Sequence, residues 1–459
     1  MQFQTLFRAA THKPVRAALL GAGEFGLSLI AQAGRMAGLQ IVAAFDLHPD
    51  RVAASLAQMG VAHRRCATPA EAAAAQDAGE LALCDRLEDL LTLKLDLVVE
   101  ATGHAEAGAA HAAAAIAAGI GVAMVSKEAE CVVGPALYAR ARAAGVPYTL
   151  VDGDQPALLI GLVSWARTLG MPIVAAGKSS EYDFVFHPQD GATRWLERSV
   201  AAPQIAGLWD LGGDIPATVA KRAAALAELP QRTVPDSCEM ALVANATGLM
   251  PEGAEFHAPL AHTNELPDIY GPRAAGGLLG RDGVLDVFNC LRRPDEASFA
   301  GGVFVVVELA DTRTGELFAG KGIPVSRDRR RALIYNPSHL LGVEAPMSLL
   351  AASRLDHSIL TDDYRLRVDL VCRATRDIAA GEVLAIEGTR HAVPALDPGL
   401  MPAVADGDDS PLPYYMAVGR TLRRAVAKGA LLRFGDAVAP TDNTLWDLRR
   451  EQARSLVPA

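Results

Sequence analysis

The sequence predicts an α/β protein built on a doubly wound parallel sheet. Three observations carry that expectation. Residues 15–155 alternate short apolar runs with helical patterns, a glycine-rich turn follows the first run, and an acidic residue closes the second. At 459 residues the chain is too long for one ordinary core, so two or three domains are expected.

Taken in order, residues 15–20 read as a strand, then the turn Gly21 to Gly26, then a helix with Phe25, Leu29, Ile30 and Ala33 on one face. A second strand is expected at 41–45, followed by a weaker helical stretch at 52–56. The alanine-rich residues 70–78 suit a helix that starts just after Pro69. Further strands are expected at 95–99, 122–125 and 148–151. Residues 105–125 are uncharged after Glu106, which raises the question of a membrane span. They are mostly Ala and Gly, carry His111, and divide at Gly119 and Gly121, so a helix followed by a buried strand is the reading adopted.

Beyond residue 156 the alternation loosens. Helices are expected at 158–168 and 239–249, and strands at 173–176 and 301–309. Pro and Gly thicken between 251 and 283, which suggests a long loop near a site or an interface. After about 360, strand-like pieces at 364–372 and 383–386 alternate with turns. The charged tail, 441–459, is expected to fray or to form a surface helix. The domains are therefore placed at 1–155, 156–355 and 356–459, the last small and rich in β-structure.

Composition excludes several classes. A formal net charge of −10 argues against nucleic acid as a partner, and the basic run Arg327, Arg329, Arg330 and Arg331 is short. The six cysteines are scattered without a CxxC pair, so neither a zinc site nor a disulfide framework is expected. The N-terminus, with Arg8, His12, Lys13 and Arg16, does not read as a secretory signal. A cytoplasmic protein with reduced thiols, bound to no membrane, is the expectation.

The most specific motif is Gly21-Ala22-Gly23-Glu24-Phe25-Gly26, between a strand and a helix. In a Rossmann fold such a turn cradles the pyrophosphate of a dinucleotide. Its first glycine allows the tight turn, its second the approach of the backbone to phosphate, and its third close packing of helix on strand. Asp46, at the end of the second strand, has the spacing of the carboxylate that binds the adenosine ribose. It disfavours the 2′-phosphate of NADP, whereas Arg51 and His48 are placed to accommodate one, so NAD and NADP both stay open. Thr102 and Gly103 follow a later strand on the crevice side, where Thr102 is expected to touch the cofactor ribose. Lys127, in Ser126-Lys127-Glu128, is either a cofactor or substrate contact or a solvated loop lysine.

Candidate chemistry follows the cofactor region. Asp154, in Asp152-Gly153-Asp154-Gln155-Pro156, suits a general base, a metal ligand or a helix N-cap. Lys178 lies just past an expected strand, where partial burial would fit it to polarise a carbonyl or donate a proton. Asp236, Cys238 and Glu239 precede a helix whose Asn245 and Thr247 need polar partners. His339 and Glu344 form a similar, weaker constellation. A divalent metal is compatible with the reaction class, but no ligand motif supports one and its ligands are unknown.

The motifs GAGEFG at 21–26, VVEATG at 98–103, GDQPAL at 153–158, AAGK at 175–178, EMALVANATGL at 239–249, YNPSHLLGVEAP at 335–346 and RDIAAGEVL at 376–384 resemble one family across nearly the whole chain. It is that of the homoserine dehydrogenase-like oxidoreductases with a C-terminal SAF domain, which includes 1-deoxy-D-xylulose 5-phosphate reductoisomerase-like enzymes. The resemblance implies a Rossmann domain, an α/β substrate and dimerisation domain, and a SAF-like end. It also implies pyrophosphate binding at Gly21, Gly23 and Gly26, and a substrate facing Lys178 and Glu239. Lys127 is similar to the lysine that homoserine dehydrogenases place near the nicotinamide. The expected activity is NAD(P)-dependent hydride transfer on a small polar carbonyl or hydroxyl compound by a homodimer. Lys178, with Lys127, would stabilise the alkoxide, and Asp154 or Glu239 would orient the substrate. A reductoisomerase, a simple dehydrogenase and a non-enzymatic dinucleotide-binding regulator are the alternatives.

Overall fold

The computed structural model describes residues 2–387 and 392–454. The chain falls into two compact units. The first joins residues 1–157, 340–385 and 403–459, and the second joins 158–339 and 386–402.

The first unit carries a parallel sheet of seven strands: β1 (Val15–Leu20), β2 (Leu39–Phe45), β3 (His63–Cys66), β4 (Leu81–Cys84), β5 (Leu97–Glu100), β6 (Gly121–Met124) and β7 (Tyr148–Leu150). Their order is β3-β4-β2-β1-β5-β6-β7, so the winding reverses between β1 and β5, where doubly wound sheets bind ligands. The five strands predicted from apolar runs between residues 15 and 151 are present, with shifted ends; β4 is not among those predicted, and the piece expected at 383–386 is no strand but a single bridge from Val383 to Thr421. β3, of sequence HRRC, is a polar edge strand that the apolar pattern does not reveal. The alanine-rich helix spans Pro69–Asp77, with Pro in its first turn and the Thr68 hydroxyl accepting from the Glu71 N–H. Residues 105–125 form the helix Ala105–Ala117 and then β6. Among the described residues no helix is long and apolar enough to cross a membrane.

The core beneath the sheet is Leu19, Leu29, Ile30, Leu39, Val99 and their neighbours, and Leu349 and Leu350 from the helix Pro346–Arg354 join it. The chain thus returns after residue 340 to complete this core. Residues 368–374 then run antiparallel to later segments, with bridges from Val371 to Pro413 and from Arg373 to Leu431. The charged tail takes the second of its two expected forms, a helix, but one face of it is buried. Thr444–Arg454 is a helix that buries Leu445, Trp446, Leu448 and Arg449; residues 455–459 lie outside the described residues. Arg449 makes a two-pronged bond to Asp369 (2.6 and 2.8 Å) and a third to Asp406 (3.0 Å), so its charge is buried but matched. Gln452 mends a gap in the helix Lys127–Ala144. Its amide accepts from the Ala136 N–H (3.0 Å) and donates to the Val132 carbonyl (2.9 Å), beside Pro135, which has no N–H to give. Charge pattern alone made this helix look solvated, because its polar groups find partners far away in sequence.

The second unit is a mixed sheet around the long strand β8 (Ile173–His187), with β9 (Ala192–Trp195), β10 (Arg198–Ala201), β11 (Met250–Pro251), β12 (Leu260–Ala261), β13 (Val284–Arg292), β14 (Val303–Glu308) and β15 (Arg331–Asn336). β13 lies parallel to β8 and β14 antiparallel to it. The predicted short strand at 173–176 is in fact the start of a strand of 15 residues, and it continues through Lys178. The helix expected at 239–249 begins earlier, as Val234–Thr247.

Candidate functional site

The turn after β1 has the shape its sequence promises. A methyl group on Gly21, whose φ is +89°, would sit 2.7 Å from the Ala101 carbonyl oxygen, and one on Gly26 would sit 2.7 Å from that of Gly21. Both positions need glycine, for the turn and for helix packing. A methyl on Gly23 would meet nothing within 4 Å. The space in front of Gly23 is therefore open, and Glu24–Ala33 begins there with its N–H groups directed outward. These residues fit a dinucleotide pyrophosphate. The Asp46 carboxylate accepts from the N–H groups of Ala22 and His48 (both 2.8 Å), and Arg51 lies 3.6 Å away. The acid expected to hold the ribose is thus locked onto the glycine turn itself.

The loops after β5, β6 and β7 assemble around the same end of the sheet. Thr102 donates its hydroxyl to Glu100 (2.6 Å), and the Gly103 N–H donates to the Ser126 hydroxyl (2.8 Å). Lys127 starts the helix Lys127–Ala144 and is half-buried. Burial pushes the neighbouring Glu128 carboxyl up to about 7; Lys127 opposes this, while Asp154 and Glu100 reinforce it. Lys127 and Asp154 therefore share one electrostatic neighbourhood. Asp154 accepts from the Gln155 N–H (2.9 Å), at the start of the helix Gln155–Thr168.

In the second unit, Lys178 is 1% exposed in the middle of β8. It is not a strand-end lysine, as its sequence context suggests. The Nζ lies 2.7 Å from Asp236 and in contact with Glu239, which stand three residues apart on the helix Val234–Thr247. Burial raises the Asp236 carboxyl, and Lys178 opposes that shift. A cleft of about 20 Å³, room for roughly one water, is lined at this spot by Arg232, Thr233, Asp236, Phe256 and Val287.

A second cluster lies behind the first. Lys178 pairs in register with Val287, and Gly177 with Asp286, so Lys178 and Asp286 project from opposite faces of the sheet. Asp286 is buried and meets His257 Nδ1 at 2.5 Å; Nε2 of that ring faces Glu252 at 3.5 Å, and Arg273 pairs with Glu252 at 3.0 Å. The hydrogen bond to Asp286 holds the His257 imidazole above its usual pKa. The sequence reading missed this cluster. Its traceable signal was the Pro- and Gly-rich stretch 251–283, which holds Glu252, His257 and Arg273.

The remaining candidates separate. His339 closes the second unit, with Nδ1 2.8 Å from the Gly301 carbonyl, whereas Glu344 belongs to the first. The Thr247 hydroxyl finds its partner in the Val243 carbonyl (2.6 Å). Among the described residues no group of three or more His, Cys, Asp or Glu side chains is arranged to hold a metal ion.

Residues 34–150 match the family model of the homoserine dehydrogenase NAD-binding domain, and residues 232–345 match that of the oxidoreductase DRL catalytic domain. The chain is thus similar, over two separate segments, to NAD-binding oxidoreductases. No curated protein matches it. Among solved structures, a probable dehydrogenase from Thermotoga maritima aligns with 75% of this chain and 90% of its own, at 12% identity and a TM-score of 0.37. An oxidoreductase from Agrobacterium radiobacter, in complex with NAD+, L-tartaric acid and magnesium, aligns with 37% of this chain and 46% of its own (17% identity, TM-score 0.27). The WlbA dehydrogenase from Bordetella pertussis, in complex with NADH and UDP-GlcNAcA, aligns with 39% and 48% (21% identity, TM-score 0.27). The chain spans about half the length of these last two proteins.

Proposed function

We propose that the protein is an NAD(P)-dependent oxidoreductase acting on a small polar carbonyl or hydroxyl compound. The first unit would bind the dinucleotide and the second would supply the polar groups for the substrate. The observation that carries this reading is Lys178, a cation buried against Asp236 and Glu239, two carboxylates within the segment 232–345 that matches an oxidoreductase catalytic domain. When bound, the dinucleotide supplies a two-electron carrier at its nicotinamide ring. Gly21, Gly23 and Gly26 would hold its pyrophosphate, with Ala22, Glu24 and Phe25 shaping the same turn, and Asp46, Thr102 and Gly103 would meet its riboses.

Reduction of a carbonyl builds negative charge on oxygen, and oxidation of an alcohol releases a proton from it. In the reduction a preorganised ammonium gives its Nζ proton to that oxygen and is left as the neutral amine; in the oxidation the neutral amine would take the proton back. Asp236 and Glu239 would keep Lys178 charged and aimed. The cleft lined by Arg232, Thr233 and Asp236 lies on the Lys178 side of this cluster and would be the approach for a substrate. Lys127 and Asp154, beside Glu128, would orient groups at the cofactor end. Asp46 supports NAD over NADP, since a carboxylate repels a 2′-phosphate.

Simple dehydrogenation of a hydroxy compound, as in homoserine dehydrogenases, and a reductoisomerase reaction on a keto-sugar phosphate such as 1-deoxy-D-xylulose 5-phosphate both fit this description. A cytoplasmic homodimer with a SAF-like end completes the proposal. Lys178→Met in the full chain tests it, against a panel of keto-sugar phosphates and hydroxy acids assayed with and without magnesium. NADH should still bind, more tightly than NADPH, while turnover falls by about two to three orders of magnitude. Near-normal turnover would remove Lys178 from the chemistry. Saturable dinucleotide binding with no turnover on any substrate would favour a regulator, and the carbon skeleton of the product separates isomerisation from simple hydride transfer.

A further inference from the structure

Glu100 ends β5 beside the end of β1 and is wholly buried. Nothing so far requires a carboxylate there. Its Oε1 accepts from the Thr102 hydroxyl (2.6 Å) and the Thr102 N–H (3.4 Å), and lies 3.2 Å from His111 Nδ1. Its Oε2 is buried without a hydrogen-bond partner, and a methyl on Gly108 would stand 3.0 Å from it. Burying a carboxylate among so few donors costs several kcal/mol. An apolar residue would close β5 at less cost, as Val98 and Val99 do within it.

The arrangement does one thing that an apolar residue would not. Thr102 spends its hydroxyl proton on Glu100, and the His104 N–H takes one lone pair of the Thr102 oxygen at 3.4 Å. The oxygen keeps one lone pair, so towards a ligand it accepts and does not donate. Thr102 is half-buried, and its backbone abuts Gly21, where a methyl would lie 2.8 Å from the Thr102 Cα. The accepting oxygen therefore stands at the dinucleotide turn. His111, which packs edge-on against Phe45 at 5.8 Å, ties the same carboxylate to the strand that precedes Asp46.

We infer that Glu100 is a positioning residue for the dinucleotide, which polarises Thr102 into an acceptor for a ribose hydroxyl of the cofactor. The inference rests on the dinucleotide reading above. Four forms of the full chain test it by calorimetric titration with NADH: wild type, Glu100→Leu, which removes the acceptor, Thr102→Val and the double variant. Each single change should weaken binding by about tenfold, and the double variant should bind no worse than Thr102→Val, because Glu100 acts through that hydroxyl. Thr102→Ser should bind as the wild type does. Additive losses, or wild-type affinity in Thr102→Val, would overturn the inference. Where Glu100→Leu does not fold, Glu100→Gln, which keeps an acceptor but loses the charge, should bind between wild type and Thr102→Val, and wild-type affinity in Glu100→Gln would overturn the inference. A wild-type chain that binds no dinucleotide overturns the cofactor reading, and this inference with it.

Discussion

Lys178 and Asp286 stand one register step apart on adjacent strands and project through opposite faces of one sheet. Each anchors a cluster in which one cationic side chain lies between two carboxylates. Yet the clusters differ in what they leave over. The histidine cluster is 26% exposed at His257, and Arg273 adds a second cation, so its charges are balanced and partly solvated. It pins 251–283, a stretch short of regular structure, to β13. The lysine cluster is sealed, has one cation for two acids, and borders a cleft. The lesson is that the number of buried charges does not mark a reactive site. A desolvated charge beside a cleft is the better mark.

The largest test of that contrast pairs two variants. Lys178→Met should lose turnover on the scale given above, whereas His257→Asn should leave turnover within about threefold and cost roughly 1–3 kcal/mol in denaturant unfolding, the range for a broken buried hydrogen bond. Equal loss of turnover in both would erase the distinction. A middle-sized effect is a pH limb. The folded His257 binds its proton more tightly than the unfolded one, so its contribution is complete below the ordinary histidine value of 6.5 and is lost as pH rises through the folded pKa. Thermal unfolding should show the wild type losing stability relative to His257→Asn above that pH; parallel curves would remove the Asp286 bond as the cause. The smallest effect belongs to Asp236. Burial raises its pKa above the ordinary 3.8, so the folded chain binds that proton more tightly than the unfolded one, and this contribution is lost as pH rises from 3.8 through the folded value. Asp236→Asn should flatten that acid limb, and an unchanged acid limb would show that Lys178 already compensates the charge.

The sequence spoke most clearly where backbone chemistry decides the structure. The glycine turn, Asp46 and the parallel strands followed from local pattern, because φ, close approach and strand burial leave marks at fixed spacing. Lys178 and Glu239 were named as residues, yet their meeting depends on a helix starting five residues before the expected point, which brings Asp236 into the cluster. Their apolar surroundings did not show that β8 runs on through Lys178 as a buried strand. Glu100 and His257 were hidden for a different reason. Each is a single polar residue whose partners come from elements far along the chain, and one sequence carries no record of such pairings. Gln452 is the extreme case, since it serves a helix more than three hundred positions earlier.

That last contact bears on how the molecule is made. The first unit is discontinuous along the chain: Leu349, Leu350, Arg449 and Gln452 belong to it, although the second unit's residues 158–339 precede them. During synthesis the glycine turn and its strands leave the ribosome long before the segments that complete their core, and the whole second unit is translated in between. At roughly 5–20 residues per second, a nascent chain waits many seconds with part of its parallel sheet uncovered. Exposed strand edges and apolar surface in that interval invite association with other chains. Completion of the first unit therefore waits for the segments after residue 340, and a chain stopped after the second unit would carry the glycine turn, Asp46 and Thr102 on an unfinished scaffold.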